Sequence, residues 1–150
     1  MEEQKRAKLR AMHILTRMDR TEQELENSLC KTGYSAEAVS GAMDYVRSYG
    51  YLDDRKYTRK YLECYRDRKS LQRMKFDLAK KGVSKDIISE ILEEIEPADE
   101  KALIRSLLKK KWPGEEKPNE KELNRLFGFL ARKGFKSSDI WSVLREENLT

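Results

Sequence analysis

The sequence has few of the residues that chemistry on small molecules needs. It contains one histidine and two cysteines, and Cys30 and Cys64 have neither metal-ligand nor redox spacing. Glycine-rich phosphate loops, nucleophile motifs and clusters of metal ligands are all missing. These absences predict a protein that is not an enzyme, with no catalytic residue, no metal site and no cofactor. Both cysteines fall within helical patterns, so we expect them to be small packing residues in a reducing compartment.

Long apolar runs are missing as well. No stretch approaches the roughly 18 apolar residues of a membrane-spanning helix, and the first residues do not form a signal-peptide pattern. We therefore expect a soluble protein of the cytoplasm with no membrane partner. Charged residues make up 39% of the chain and hydrophobic residues 38%, which favours several small cores over one large core.

One short pattern does occur, three times. Leucine, a variable residue, lysine or arginine, a second variable residue and glycine follow one another at residues 29–33, 78–82 and 130–134. The glycines, 49 and 52 positions apart, are predicted to end helices. Apolar residues recur at helical spacing, and no segment alternates as a strand does. The period predicts an all-α fold of three tandem three-helix repeats in an elongated or crescent-shaped array. The glycines are Gly33, Gly82 and Gly134, and the predicted repeats are residues 1–53, 54–97 and 98–150.

Polar residues mark where the helices begin. Thr21 with Glu24, and Asn119 with Glu122, have the spacing of a capping box, in which each side chain accepts a hydrogen bond from the other residue's backbone N–H. A connector at residues 112–118 interrupts the third repeat. Single polar residues are predicted to cap the other helices: Ser35, Asp54 (for a helix over 55–68), Ser70, Ser84, and Ser137 or Ser138.

The basic charge is confined to the middle of the chain. Residues 55–81 contain 11 Lys/Arg and 3 Asp/Glu, a net charge of +8, whereas residues 1–54 have a net charge of −2 and residues 82–150 of −1. A cationic segment of this density attracts polyanions and accelerates encounter with them. A solvated helix face is the alternative, but such faces usually mix the two signs.

The helix predicted after Asp54 is amphipathic at 100° per residue. One arc is rich in tyrosine and is expected to face the core, and the opposite arc is cationic. The core arc contains Tyr57, Thr58, Tyr61, Leu62, Cys64 and Tyr65, and the cationic arc contains Arg55, Lys56, Arg59, Lys60 and Arg66.

Phe76 does not follow the apolar stripe of its own helix. Leu71, Met74 and Leu78 define that predicted buried stripe, whereas Phe76 points toward Arg73 and Lys80. Two interpretations are open: the ring stacks on a base or a partner protein, or it packs against a neighbouring repeat.

Two further groups have plain structural interpretations. Asp53 and Asp54 directly precede a helix, where capping is a stronger interpretation than a metal site or an acid/base pair. His13 falls on the polar side of its helix and is expected at the surface.

Two segments resemble the RecX regulatory proteins, which modulate the bacterial recombinase RecA. Gly50-Tyr51-Leu52-Asp53-Asp54, followed by Tyr57, is similar to the family's Gly-Tyr-Leu-Asp-Asp-x-x-Tyr/Phe signature. Thr21-x-x-Glu24-Leu25, continuing to Leu29 and Gly33-Tyr34, is similar to its upstream run. The resemblance implies that the signature residues Gly50, Tyr51, Leu52, Asp53, Asp54 and Tyr57 are mainly architectural.

The resemblance also implies a function. A protein of this family is expected to lie as a monomer in the groove of the RecA–single-stranded DNA filament and to regulate recombination, DNA repair and the SOS response. It would lower RecA's ATP hydrolysis, strand exchange and co-protease activity, by blocking the groove or by disassembling the filament, and duplex DNA is a further expected ligand. Phe76 and Ala79 depart from the polar residues usual in the family. The residues expected to contact DNA or the filament are Arg55, Lys56, Arg59, Lys60, Arg66, Arg68, Arg73, Phe76, Lys80 and Lys81.

A direct DNA-binding helix-turn-helix module acting in transcription regulation is the alternative function. Three-helix units can present a recognition helix in the major groove. The helices expected to do so, over residues 35–48, 84–95 and 137–147, have few lysines and arginines. A purely protein-binding adaptor would leave the confined basic charge without explanation.

Overall fold

The computed structural model describes residues 2–150, and all regular structure in that range is helical. The predicted all-α class, with its tandem three-helix units, is confirmed. We refer to α1–α3, α4–α6 and α7–α9 as the first, second and third helix triplets. The helices are α1 (Glu2–Arg17), α2 (Glu22–Thr32), α3 (Ala36–Ser48), α4 (Asp54–Tyr65), α5 (Leu71–Lys80), α6 (Lys85–Glu93), α7 (Glu100–Lys111), α8 (Glu120–Arg132) and α9 (Ser137–Glu146).

Most helices begin at the predicted caps. Both capping boxes form, at Thr21 with Glu24 and at Asn119 with Glu122. The hydroxyls of Ser35, Ser70 and Ser84 each accept a hydrogen bond from the backbone N–H three residues later. Local polar sequence therefore sets the starts of these five helices.

Two predicted helix ends are wrong. The cap of α9 is Lys136, which makes no side-chain capping bond, because the cap position lies two residues after the glycine in every triplet and this places Ser137 inside the helix. The helix α4 ends at Tyr65 rather than Arg68. The N–H groups of Arg68 and Lys69 both donate to the Tyr65 carbonyl, at 2.9 and 3.0 Å, and close the helix there.

The chain forms two compact units, each with its own core. Unit 1 contains Met1–Tyr61 and Asp77–Glu94, and unit 2 contains Leu62–Phe76 and Ile95–Thr150. In both units the core is built from the apolar stripes of amphipathic helices. The main core of unit 1 contains Ala7, Ala11, Leu25, Leu29, Ala38, Val39, Ala42, Met43, Val46 and Leu52. That of unit 2 contains Ile104, Leu107, Leu108, Leu126, Leu130, Phe135, Ile140, Val143, Leu144 and Leu149.

An equivalent contact, to a backbone carbonyl before a pattern glycine, occurs once in each unit. In unit 1 the Thr21 hydroxyl donates to the Lys81 carbonyl at 2.6 Å. In unit 2 the Ser70 N–H donates to the Lys133 carbonyl at 2.9 Å. Each bond joins the residue that caps the second helix of one triplet to the residue before the pattern glycine of the next triplet. We call these two contacts the triplet joints.

The pattern glycines have a left-handed backbone, with φ of 97° at Gly33, 92° at Gly82 and 91° at Gly134. Two of them, Gly82 and Gly134, also lie in close contact with the preceding triplet at a triplet joint. A Cβ at Gly82 would overlap Gln23, and one at Gly134 would overlap Ser70 and Arg73, whereas one at Gly33 would meet nothing within 4 Å. Glycine is therefore required by conformation at all three positions and by space at the two joints.

The two carboxylates of Asp53 and Asp54 have different partners, and the prediction that Asp54 caps α4 is wrong. The Asp53 carboxylate, rather than that of Asp54, caps α4 by accepting from the N–H groups of Arg55 and Lys56 at 3.0 and 3.3 Å. The buried Asp54 carboxylate accepts from the Glu22 N–H at 2.9 Å. Burial raises the pKa of Asp54, with smaller contributions in the same direction from nearby carboxylates, including that of Glu22.

Burial on α4 and α5 follows the predicted arcs with two exceptions. Thr58, Tyr61 and Leu62 are buried, as the amphipathic pattern predicts. Cys64 is exposed, and so is Cys30 on α2, so the prediction that both cysteines are packing residues is wrong. Leu71 is 40% exposed, because it is the first residue of α5 and lies at the end of the stripe.

His13 lies on the exposed side of α1, as predicted. Within residues 2–150, no helix combines the length and the apolar character that crossing a bilayer requires.

Candidate nucleic-acid interface

The structure distributes the predicted contact residues over both units. On unit 1 they occupy the first turns of α4 and the end of α5 with the residue after it, and on unit 2 the turn after α4 and the first half of α5. All except Lys81 are exposed. The unit 1 residues are Arg55, Lys56, Arg59, Lys60, Lys80 and Lys81, and the unit 2 residues are Arg66, Arg68, Arg73 and Phe76.

Two arginines of unit 1 are neutralised by Glu90 on α6 and by Glu94, the residue that follows that helix. Arg55 Nε lies 3.1 Å from a Glu90 carboxylate oxygen. Arg59 binds Glu94 through both Nε and Nη2, each at 3.0 Å. These bonds lower the pKa of Glu94 and raise that of Arg59. The glutamates are four residues apart, as are the arginines, so the two helices present matching charges along one face.

The first triplet neutralises two lysines of the same unit. Lys60 Nζ lies 3.0 Å from Asp19, and Lys81 Nζ lies 3.8 Å from Glu24. The outer face therefore mixes the two signs more than the sequence indicated, because the acidic partners come from outside residues 55–81. Pairs as exposed as Lys60–Asp19 contribute less than about 1 kcal/mol to stability, so a polyanion can displace the carboxylates at small cost.

Three of the predicted cations, besides Arg68, are exposed without a carboxylate partner in the part of the chain that the structure describes. Lys56 and Lys80 on unit 1 and Arg66 on unit 2 are exposed, and among residues 2–150 no carboxylate lies within ion-pair distance of them. An exposed cation without a carboxylate partner gives up no ion pair on binding a phosphate.

Aromatic rings accompany the cations of unit 2. The Phe76 side chain is 57% exposed, and the Arg73 guanidinium lies 5.6 Å from the centre of its ring. The guanidinium of Arg68 and the ammonium of Lys69 lie 5.9 and 4.3 Å from the centre of the Tyr65 ring. Cations beside exposed rings are typical of surfaces that bind single-stranded nucleic acids.

Sequence reasoning missed a second cationic cluster, in the third triplet. The ammonium groups of Lys111 and Lys133 each lie 5.0 Å from the centre of the Phe129 ring. Lys109 and Lys110 occupy the last turn of α7 beside Lys111. The Lys109-Lys110-Lys111 run was visible in the sequence, but the net charge of −1 over residues 82–150 concealed it.

Comparison with known proteins identifies the family. Family models described as "RecX, first three-helix domain" and "RecX, third three-helix domain" match residues 7–46 and 99–144. A regulatory protein RecX from Caldanaerobacter subterraneus subsp. tengcongensis is 33% identical over 150 residues, which cover 99% of this chain and 72% of that protein. The chain belongs to the RecX family. Its relatives are named regulatory proteins, and a regulator role follows for the family.

Other RecX proteins agree in sequence and fold. A regulatory protein RecX from Clostridium botulinum (strain Eklund 17B / Type B) is 30% identical over 139 residues, which cover 91% of this chain and 66% of that protein. The crystal structure of RecX from Lactobacillus salivarius superimposes with a TM-score of 0.69 at 19% identity, covering 99% of both chains. A crystal structure of a regulatory protein RecX gives 0.72 at 22% identity, covering 97% of this chain and 73% of that one.

Proposed function

We propose that this RecX-family chain regulates homologous recombination and DNA repair by binding the RecA–single-stranded DNA filament along its groove. Bound there, it inhibits or disassembles the filament and lowers RecA's ATP hydrolysis, strand exchange and co-protease activity, including that of the SOS response. It acts in the cytoplasm as a monomer, without catalytic residues or a cofactor of its own. The nucleotide that is hydrolysed belongs to RecA.

The observation that supports this function best is the exposed cations of the second triplet. Lys56 on α4, Lys80 at the end of α5 and Arg66 in the turn after α4 are exposed, with no carboxylate partner among the described residues. Such cations release condensed counterions when they meet phosphates, which gives binding that weakens steeply with salt. Phe76, more than half exposed on α5, provides a ring for a base or for a partner protein.

Binding and ATP hydrolysis, measured together, test the proposal. Fluorescence anisotropy would compare the labelled chain with single-stranded DNA, duplex DNA, RecA alone and the assembled filament. RecA ATPase activity would be followed in parallel. We expect the tightest binding to the filament, and a fall in ATPase activity over the same concentration range.

The control is an oligonucleotide-free RecA sample, which separates protein contacts from DNA contacts. Equal affinity for duplex DNA and for the filament, with ATPase activity unchanged, would overturn the proposal. That result would favour the direct DNA-binding module.

A further inference from the structure

The Phe129 ring holds two lysines that nothing in the proposed function uses. Lys111 is the last residue of α7, and Lys133 comes directly after α8. Since each ammonium lies 5.0 Å from the same ring centre, the two are at most twice that distance apart. Cation–π attraction stabilises both in this position. The ring therefore concentrates positive charge at one end of the third triplet. We call Lys111, Phe129 and Lys133 the lysine pair site.

Within residues 2–150, no carboxylate lies within ion-pair distance of these two lysines. None of the ion pairs there involves the cations at this end of α7 and α8. Two acids of the unit bind other groups: Glu100 accepts from the Leu71 N–H, and Glu146 binds Arg105. Like charges this close repel one another unless an anion lies between them. The cations concerned are Lys109, Lys110, Lys111, Arg132, Lys133 and Lys136.

The triplet joint of unit 2 connects this site to the second triplet. The Lys133 carbonyl accepts from the Ser70 N–H at 2.9 Å. A side chain at Gly134 would overlap Ser70 and Arg73, so the two backbones are in close contact there. The start of α5, with Lys69 before it and Arg73 on it, thus lies directly beside Lys133. Cations and rings continue from one triplet to the next within this unit.

We propose that the lysine pair site binds the sugar-phosphate backbone of single-stranded DNA, as a second contact beyond the cations of the second triplet. The inference rests on the proposed function, which supplies a DNA strand at the neighbouring surface. Two ammonium groups close together and without carboxylates suit the closely spaced phosphates of one strand. The partly exposed Phe129 ring holds them in place before binding.

Salt-dependent binding to an oligonucleotide alone tests the inference. Anisotropy of labelled oligo(dT) would be titrated between low and moderate salt with the full chain and with a K111Q/K133Q variant. We expect the slope of log affinity against log salt to fall by about 0.7 for each lost phosphate contact. A K111R/K133R variant keeps both charges and should keep the slope. Circular dichroism would confirm that the variants remain helical.

The matched control places the same charge change at the other ends of the same helices. Lys101 lies in the first turn of α7 and Lys121 in the first turn of α8, roughly 15 Å along the helix from Lys111 and roughly 18 Å from Lys133, respectively. A K101Q/K121Q variant should bind oligo(dT) as the unaltered chain does.

Three results would overturn the inference: no binding of oligo(dT) by the unaltered chain, an unchanged slope in K111Q/K133Q, or an equal loss in K101Q/K121Q. Loss of binding to RecA alone, with oligo(dT) binding intact, would assign the site to an acidic protein surface instead. The filament and ATPase measurements on the unaltered chain decide the proposed function separately, because their outcome does not require the lysine pair to contact DNA.

Discussion

The Thr21 hydroxyl and the Lys81 carbonyl form a 2.6 Å hydrogen bond between residues 60 positions apart in the chain. The Thr21 hydroxyl oxygen also accepts a hydrogen bond from the Glu24 N–H at 3.1 Å and so completes the capping box of α2. The Thr21 side chain is fully buried. One hydroxyl therefore starts a helix and holds a triplet joint, and both functions depend on a single oxygen atom.

Replacing Thr21 with valine should destabilise the protein by about 2 kcal/mol, because it removes a cap and leaves the Lys81 carbonyl without its donor. Urea unfolding followed by circular dichroism measures the change. Thr21→Ser retains the oxygen and should lose less than half as much. If the two variants unfold at the same urea concentration, the hydroxyl contributes nothing at the joint.

Alanine substitutions at Gly33 and Gly82 should separate the cost of a left-handed backbone from the cost of a steric clash, both measured as lost stability. Gly33→Ala meets only the left-handed backbone and should cost about 1–2 kcal/mol. Gly82→Ala has the same φ to within a few degrees but must also displace Gln23, so it should cost at least about 1 kcal/mol more. Thermal unfolding of both variants measures the difference. Equal losses would mean that the Gln23 side chain moves aside freely.

Neutralising Arg66 should weaken filament binding more than neutralising Arg59. Arg66 is exposed without a carboxylate partner, whereas Arg59 already binds Glu94 through two bonds. We expect R66Q to reduce the salt slope by about 0.7 per lost contact with single-stranded DNA, and R59Q by less than half of that. Filament binding measured at several salt concentrations provides the comparison. An equal effect of the two changes would show that the Arg59–Glu94 pair opens on binding.

Asp54 should make the protein less stable as pH rises. Burial raises its pKa in the folded state, so between the unfolded and folded pKa values the folded protein holds more protons. Stability therefore falls across that interval and stays lower above it. Asp54→Asn keeps an acceptor for the Glu22 N–H without the charge, and should match or exceed the unaltered protein in melting temperature at pH 7. This advantage should vanish near pH 3.

Asp54→Ala is the control, because it removes the acceptor and should cost about 1–2 kcal/mol. A lower melting temperature for Asp54→Asn at pH 7 would contradict the argument and show that the ionised carboxylate stabilises the fold. The carboxylates whose pKa is lowered, such as Glu94, destabilise the protein in acid. They do so equally in both proteins and cancel in the comparison.

The sequence predicted helices and caps well because those signals are local. Thr21 with Glu24 forms its capping box within four residues, and the left-handed backbone at Gly33 follows from its place after α2. The neutralisation of Arg59 by Glu94 spans 35 positions. The net charge of residues 55–81 does not include Glu94, so it could not indicate that Arg59 is neutralised.

The candidate site was predictable only where charge is segregated along the chain. Residues 55–81 have their excess in one block, whereas the cations of the third triplet form two short runs, at residues 109–111 and 132–136, whose charge is cancelled in the sum by acids elsewhere in residues 82–150. Lys111 and Lys133, 22 positions apart, meet at one ring. Periodicity fixes which face a residue occupies, but not which other helix lies beside it.

The triplet joint makes this fold modular in a sense useful for protein design. In unit 1, the residue that caps the second helix of one triplet donates to the carbonyl of the lysine in the next triplet's lysine-glycine turn. The glycine of that turn leaves room for the contact because it has no side chain. Asn119 occupies in the third triplet the position that Thr21 and Ser70 hold in the first two. We therefore expect an engineered fourth triplet with its own lysine-glycine turn to bind at that cap, as the second and third triplets bind at Thr21 and Ser70.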